Sequence, residues 1–445
     1  MAKTIIIGVN HAGTAAANTL LGNYPGHEVV IFDPNERTSY LGCGTALYIG
    51  KQIAGTDGLF YSSKEALESQ GAQVNMQTTV TGVDFDRRVV TARTIEGRVI
   101  EETYDTLIFA TGSSPITPPI PGTDLDGVHF VKTYNDGQVI DRKLSDARIK
   151  SVAVIGAGYI GVEMAEAAKR RGRNTMLVEV QGQSLTGYFD KDFTSGIDAA
   201  LRGGGVDLHY GEQLLEIKGD EEGRVRAIVT DKGEFNVEMV VLSVGFRPNT
   251  ELANGLLELG EGGAFKVNLN QQTSRPEVFA AGDCATVYNN ATGATDYIAL
   301  ATNAVRSGIV AGHNAGGTPL QSAGVQGSNG ICIWDYKMFS TGLTVEKAKE
   351  KGIDVGFSDV EDLQKPAFMA DNDTVKLRVV YDNESRRIIG AQLASHRDVS
   401  LGIHLFSLAI AKGVTINELP LVDIFFMPHF NQPFNYITMA GLTAK

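Results

Sequence analysis

Cys43 stands between two glycines in the run YLGCGTAL (40–47). Neighbours without side chains let a planar ring approach the sulfur closely, and one thiolate can cycle through sulfenic acid, the first rung of the oxidation ladder. The bland alternative is a buried structural cysteine, the ordinary fate of a lone thiol. Cys284 and Cys332 are read in that bland way, Cys332 because it lies in an apolar run with Ile331, Ile333 and Trp334. Three widely spaced cysteines form no disulfide framework and no zinc site, and no metal is expected. His11 is the second residue suited to chemistry. At the start of a helix the positive dipole end lowers an imidazole pKa, which favours a neutral base that exchanges protons with a reacting group. Bonded to backbone at the helix entry, it would only hold the chain.

Neither residue acts without a bound reactant, and two glycine-rich turns offer sites for one. Gly156-Ala157-Gly158-Tyr159-Ile160-Gly161 lies between an apolar run, Ser151–Ile155, and a helical stretch, Val162–Arg170. Gly156 permits the turn, Gly158 lets a pyrophosphate approach the backbone, and Gly161 lets the helix pack on the strand. The next strand, Thr175–Val178, ends at Glu179, 23 residues beyond Gly156. A carboxylate there accepts hydrogen bonds from a ribose diol and repels a 2′-phosphate, which favours NADH over NADPH. Ser184 and the uncharged loop around it offer no basic group for that phosphate, although Arg171 and Arg173 are near in sequence. The first turn, Gly8-Val9-Asn10-His11-Ala12-Gly13, departs from the pattern: Asn10 replaces the second glycine and hinders phosphate approach there. Its acid is Asp33, 25 residues after Gly8.

Each turn sits in a strand–turn–helix–strand unit, and the unit occurs twice, about 150 residues apart. The opening copy runs Lys3–Ile7, Thr14–Leu21 and Glu28–Phe32. From about residue 321 the pattern changes to alternating strands, such as Thr374–Tyr381 and Ile388–Ala394, then a helix, Val399–Lys412, and an aromatic tail. The expected fold is α/β: two Rossmann-like dinucleotide-binding domains plus a C-terminal α+β domain. Boundaries are placed at 1–115 with 246–320, 116–245, and 321–445. A chain of 445 residues is too long for one core, and 43% apolar with 20% charged residues is an ordinary globular balance. The net charge of −13 argues against nucleic acid or an anionic membrane as partner, so bound phosphates must be held by backbone N–H groups and helix ends. No stretch has the length to span a bilayer and no signal pattern is read at the start, so a cytoplasmic protein is expected.

The motifs GVNHAGTAA (8–16), YLGCGTAL (40–47), LIFATGSSP (107–115), GAGYIGVE (156–163), VGFRPNT (244–250), VFAAGDCA (278–285) and FFMPHFNQPFNYI (425–437) occur in order. With them the whole chain resembles the pyridine-nucleotide-disulfide oxidoreductase superfamily. Within it, the chain resembles the branch of water-forming NADH oxidase, NADH peroxidase and coenzyme A-disulfide reductase. The resemblance implies FAD on the first turn and NADH on the second, closed by Ala110, Thr111, Gly112 and Asp283, with Lys132 and Ala299 in the cofactor set. It implies that Tyr159 covers the flavin face until nicotinamide displaces it, and that Tyr188 and Gly245 line the nicotinamide nucleotide. It implies a homodimer in which His429 could reach the partner's flavin, or could equally be a packed surface histidine. Superfamily disulfide reductases carry a second cysteine five positions on; here that residue is Tyr48. The implied activity is four-electron reduction of O2 to water by two NADH, through a flavin hydroperoxide, Cys43 thiolate and sulfenic acid, with His11 supplying protons. Peroxidases of the branch place an arginine where Val305 stands, which sets the oxidase reading ahead of peroxidase or coenzyme A-disulfide reductase. A flavin-based NADH sensor is the reading from another class.

Overall fold

The structure, a computed structural model, describes residues 2–445. The β-branched run Lys3–Ile7 forms the middle strand of a five-stranded sheet in the order Val278–Ala280, Thr106–Phe109, Lys3–Ile7, Glu28–Phe32, Gln73–Asn75. Every pairing in it is parallel. Parallel strands are covered on both faces, which is why they read as unbroken apolar runs rather than as alternating ones. The second unit repeats the arrangement around Ser151–Ile155, in the order Asp207–Tyr210, Asn174–Glu179, Ser151–Ile155, Met239–Leu242, Val128–Phe130. The two sheets match strand for strand, with one difference of origin. The strand beside Thr106–Phe109 comes from residues 278–280, after the second unit, whereas its counterpart beside Met239–Leu242 comes from 128–130. The two crossings between the units run side by side, Ser113–Pro115 pairing antiparallel with Phe246–Pro248.

Several helices start or end away from their expected limits. The first spans His11–Asn23 rather than 14–21, the second unit's spans Tyr159–Arg170 rather than 162–170, and the helix expected over Val399–Lys412 spans Ser400–Lys412. Apolar periodicity marks only the part of a helix that packs, while the first turn is fixed by N–H groups that lack intrahelical partners. His11 and Tyr159 thereby become first-turn residues of equivalent helices.

The C-terminal region is an antiparallel sheet in the order Asn329–Ile333, Tyr336–Gly342, Ile388–Ser395, Thr374–Asp382, Val355–Leu363. Helix Ser400–Lys412 packs on it through Ile403, Phe406 and Ile410. Cys332 is exposed, against the expectation of burial. Strand alternation turns Ile331 and Ile333 inward and sends the residue between them out, so an apolar triplet did not mean two covered faces. Among the described residues no helix is long and apolar enough to cross a membrane.

Candidate active site

The two glycine turns are built alike. Gly8 and Gly156 both have φ +95°, and a Cβ would lie 2.4 Å from the Ala110 carbonyl oxygen in one and 2.5 Å from that of Ser243 in the other. At Gly13 and Gly161 a Cβ would lie 1.9 and 1.8 Å from the carbonyl oxygens of Gly8 and Gly156. These four glycines are dictated by the protein's own backbone. Gly158 is different: nothing lies within 4 Å of its absent Cβ. That space is open, and Asn10, whose side chain caps no helix N–H, stands at the corresponding place in the first turn.

The two strand-end acids hold their own turns. The Val9 N–H donates to Asp33 Oδ2 at 2.7 Å, and the Ala157 N–H to Glu179 Oε2 at 2.7 Å. Second oxygens are engaged by Asn35 and Gln181 N–H groups. A carboxylate oxygen keeps further acceptor capacity beyond one bond, so the ribose reading remains open to both.

A cleft of about 690 Å³ gathers Gly8, Asn10, His11, Ala12, Asp33, Ala110, Thr111, Gly112, Lys132 and Asp283. At one side Lys132 Nζ lies 3.2 Å from Asp283 Oδ2, and Ser113 Oγ donates to the same oxygen at 2.8 Å. His11 feels both charges, but burial is the main cause holding its imidazole below the usual range. The expected direction is present, with enclosure rather than the helix dipole as its leading cause. Its Nδ1 meets Tyr61 Oη at 2.9 Å, and the two rings stack at 5.6 Å, so its partner is a side chain rather than backbone. Cys43 is exposed yet closely walled. Desolvation pushes its thiol up, the Glu163 and Asp283 carboxylates push the same way, and its own backbone N–H and Lys132 oppose them. Cys43 and His11 therefore share Lys132 and Asp283 as charged neighbours. Tyr48 donates instead to Asp141 at 3.0 Å.

On the other side of Cys43 stand the residues of the second turn. The Tyr159 ring packs edge-on against Tyr188 at 4.8 Å, Ile160 is partly buried behind it, and Gly245 has φ +114°. Ser184 is buried, donating to Asp198, and so is no part of the loop surface. Arg171 donates to Asp141 and Arg173 to the Leu144 carbonyl, so both are engaged at helix Tyr134–Ser145. Gly13 and Cys43 do not line the cleft of the first turn, and two further residues fall outside it as well. Ala299 is exposed and absent from the cleft wall. Val305 is exposed too, while its neighbour Ala304 lines the cleft. Among the described residues no group of three or more His, Cys, Asp or Glu is poised for a metal.

A family model described as pyridine nucleotide-disulphide oxidoreductase matches residues 2–308, and that family's dimerisation domain matches 329–436. This chain belongs to the pyridine nucleotide-disulphide oxidoreductases. Family members include an NADH oxidase of Streptococcus pyogenes serotype M6, 53% identical, and one of Lactococcus lactis subsp. cremoris, 52% identical, each covering 100% of both chains. Among solved structures, a water-forming NADH oxidase from Lactobacillus brevis bound to NADH superposes with TM-score 0.96 at 38% identity, covering 99% of this chain and 98% of that one. A flavin dinucleotide suits the first cleft of this oxidoreductase on its own geometry. Its volume is that of a cofactor site, a helix N-terminus opens into it, and no Cβ contact restricts Gly112, whose φ is +68°. Tyr61 lies in no motif, and Ser113, Glu163 and Asn249 stand inside motifs without being singled out by them. Asn249 ties the crossings together, donating to the Thr111 carbonyl at 2.8 Å, and it stood unremarked inside VGFRPNT. Nothing local marks Tyr61 or Glu163.

Proposed function

We propose that this chain is an FAD-dependent NADH oxidase that reduces O2 to water: 2 NADH + O2 + 2 H+ → 2 NAD+ + 2 H2O. One observation carries the reading: a single thiol, Cys43, shares the charged neighbours Lys132 and Asp283 with His11, while Cys284 is buried and Cys332 lies on the C-terminal sheet. One thiol has no neighbouring thiol with which to close an internal disulfide, and it can accept one oxygen atom. FAD, when bound, supplies hydride acceptance from NADH and the electrons for O2.

The chain's residues do the rest. Gly8, Asn10, Ala12, Gly13 and Asp33 hold the FAD end, with Ala110, Thr111, Gly112, Lys132 and Asp283 closing it. Gly156, Gly158, Ile160, Gly161, Glu179, Tyr188 and Gly245 hold NADH, and Tyr159 stands between. Cys43 as thiolate takes an oxygen atom at the peroxide level and becomes sulfenic acid; the second NADH returns it to thiolate. His11, neutral because enclosed, takes and gives the protons. Glu179, with no free cation beside it, favours NADH over NADPH. The dimerisation domain and an exposed aromatic tail support a homodimer, and three free cysteines suit a reducing cytoplasm. The decisive experiment is oxygen uptake per NADH with the purified yellow protein. Two NADH per O2, unchanged by catalase, is expected. A ratio of one with catalase returning oxygen, or turnover only with added peroxide, would remove the water-forming reading.

A further inference from the structure

Tyr159 occupies the first position of helix Tyr159–Arg170, and Glu163 follows one turn later on the same face. Of the charged groups acting on Cys43, Glu163 has the largest effect. Tyr159 is partly buried at the second glycine turn and held from outside its own unit. Its hydroxyl donates to Asn329 Oδ1, on the first strand of the C-terminal sheet. Asn329 is itself fixed. Ser340 Oγ donates to the same Oδ1 at 3.1 Å, and Asn329 Nδ2 donates to the Gly327 carbonyl at 2.7 Å. Asn329 and Ser340 are cross-strand partners, so the acceptor is presented by a paired ladder rather than by a loop. Tyr188, packed edge-on against Tyr159, meets the same domain: Lys347 Nζ lies 5.7 Å from its ring centre.

We propose that Asn329 is a positioning residue for hydride transfer, a latch that holds Tyr159 across the nicotinamide path and sets how readily NADH reaches the flavin. The inference rests on the reading that NADH docks on the 156–161 turn. A dinucleotide that binds only the unlatched state has its apparent affinity reduced by the fraction of time that state is populated. Breaking the latch raises that fraction without touching the dinucleotide.

The test is anaerobic rapid mixing of the FAD-loaded enzyme with NADH, following loss of flavin colour. In Asn329→Ala and in Tyr159→Phe, the NADH concentration for half-maximal rate falls about two- to tenfold, the range set by the net worth of one hydrogen bond. In Asn329→Ala the limiting rate and FAD content stay as in the wild type. The double variant gains no more than either single one, because both remove the same bond. The Tyr159→Phe variant reads that bond from the other side if Asn329→Ala does not fold. A fall in Tyr159→Phe alone, additive gains in the double variant, or no fall in either overturns the latch. A wild-type flavin that NADH does not reduce overturns the oxidase reading itself, a separate result.

Discussion

A thiol serves this chemistry as thiolate, yet the surroundings of Cys43 work against ionisation, first by desolvation and then through Glu163. Burial and Glu166 push Glu163 itself up to about 7. Replacing Glu163 by Gln removes a negative neighbour, and the Cys43 pKa must fall. Iodoacetamide alkylation of the FAD-loaded Glu163→Gln protein should reach its plateau at lower pH than in the wild type; coincident profiles would show that the carboxylate does not act on the thiol. Cys43→Ser leaves NADH oxidation running but gives the oxygen atom no acceptor. Hydrogen peroxide should then appear at about one per NADH, and a variant still producing only water would end the thiol's assigned role. Cys43 and His11 were legible because each stands inside a motif whose neighbours explain it. Tyr61 and Glu163 were not: Tyr61 reaches His11 across 50 residues, and Glu163 reads as one more polar residue on an amphipathic helix. Only tertiary packing gives either of them a role.

The repeated strand–turn–helix unit was legible for the same reason that its glycines tolerate nothing larger. A methyl group at Gly13 or Gly161 meets a carbonyl oxygen of the same turn, and overpacking of this kind costs about 1–3 kcal/mol. Because each helix serves one dinucleotide, the losses should separate. Gly13→Ala should purify largely colourless, whereas Gly161→Ala should keep its flavin and need much more NADH; equal flavin loss in both would contradict two independent sites. The fifth strand of each sheet was not legible, since nothing local tells residues 278–280 to pair with Thr106–Phe109 when their counterpart is drawn from 128–130. That latter strand carries a pH-sensitive residue. His129 Nε2 is buried without a hydrogen-bond partner, and burial, reinforced by Lys143 against Asp126 and Asp136, pushes the ring down to about 4. The unfolded chain takes up this proton near 6.5. The stability His129 contributes is therefore whole above pH 6.5 and is lost as pH falls toward about 4. His129→Phe should flatten that part of the melting-temperature profile, and parallel profiles would clear the residue of blame.

At the scale of the molecule, a net charge of −13 makes two copies repel, so association must come from an apolar face. The C-terminal region exposes one. Leu421, Phe425, Phe430 and Phe434 are 86, 66, 59 and 64% accessible, in a stretch where a monomer would gain by hiding them. The region is also braced against the second sheet's unit: buried Arg378 lies 3.3 Å from Asp190 Nterminal to helix Lys191–Gly203 and 2.9 Å from Asp192 on it. Joining two copies through this face would fix both nucleotide-binding units relative to each other, not only the tails. Phe430→Asp with Phe434→Asp places two more negative charges at the contact, and sedimentation should show a monomer where the wild type is a dimer. Turnover in that monomer should drop, because His429 lies in the same stretch and is assigned to the partner's cleft. Loss of activity alone would not separate assembly from chemistry. His429→Ala does, since it leaves the phenylalanines in place. A dimeric His429→Ala enzyme with impaired turnover supports a shared site, whereas a dimer with wild-type turnover confines His429 to the surface and leaves each subunit's cleft complete in itself.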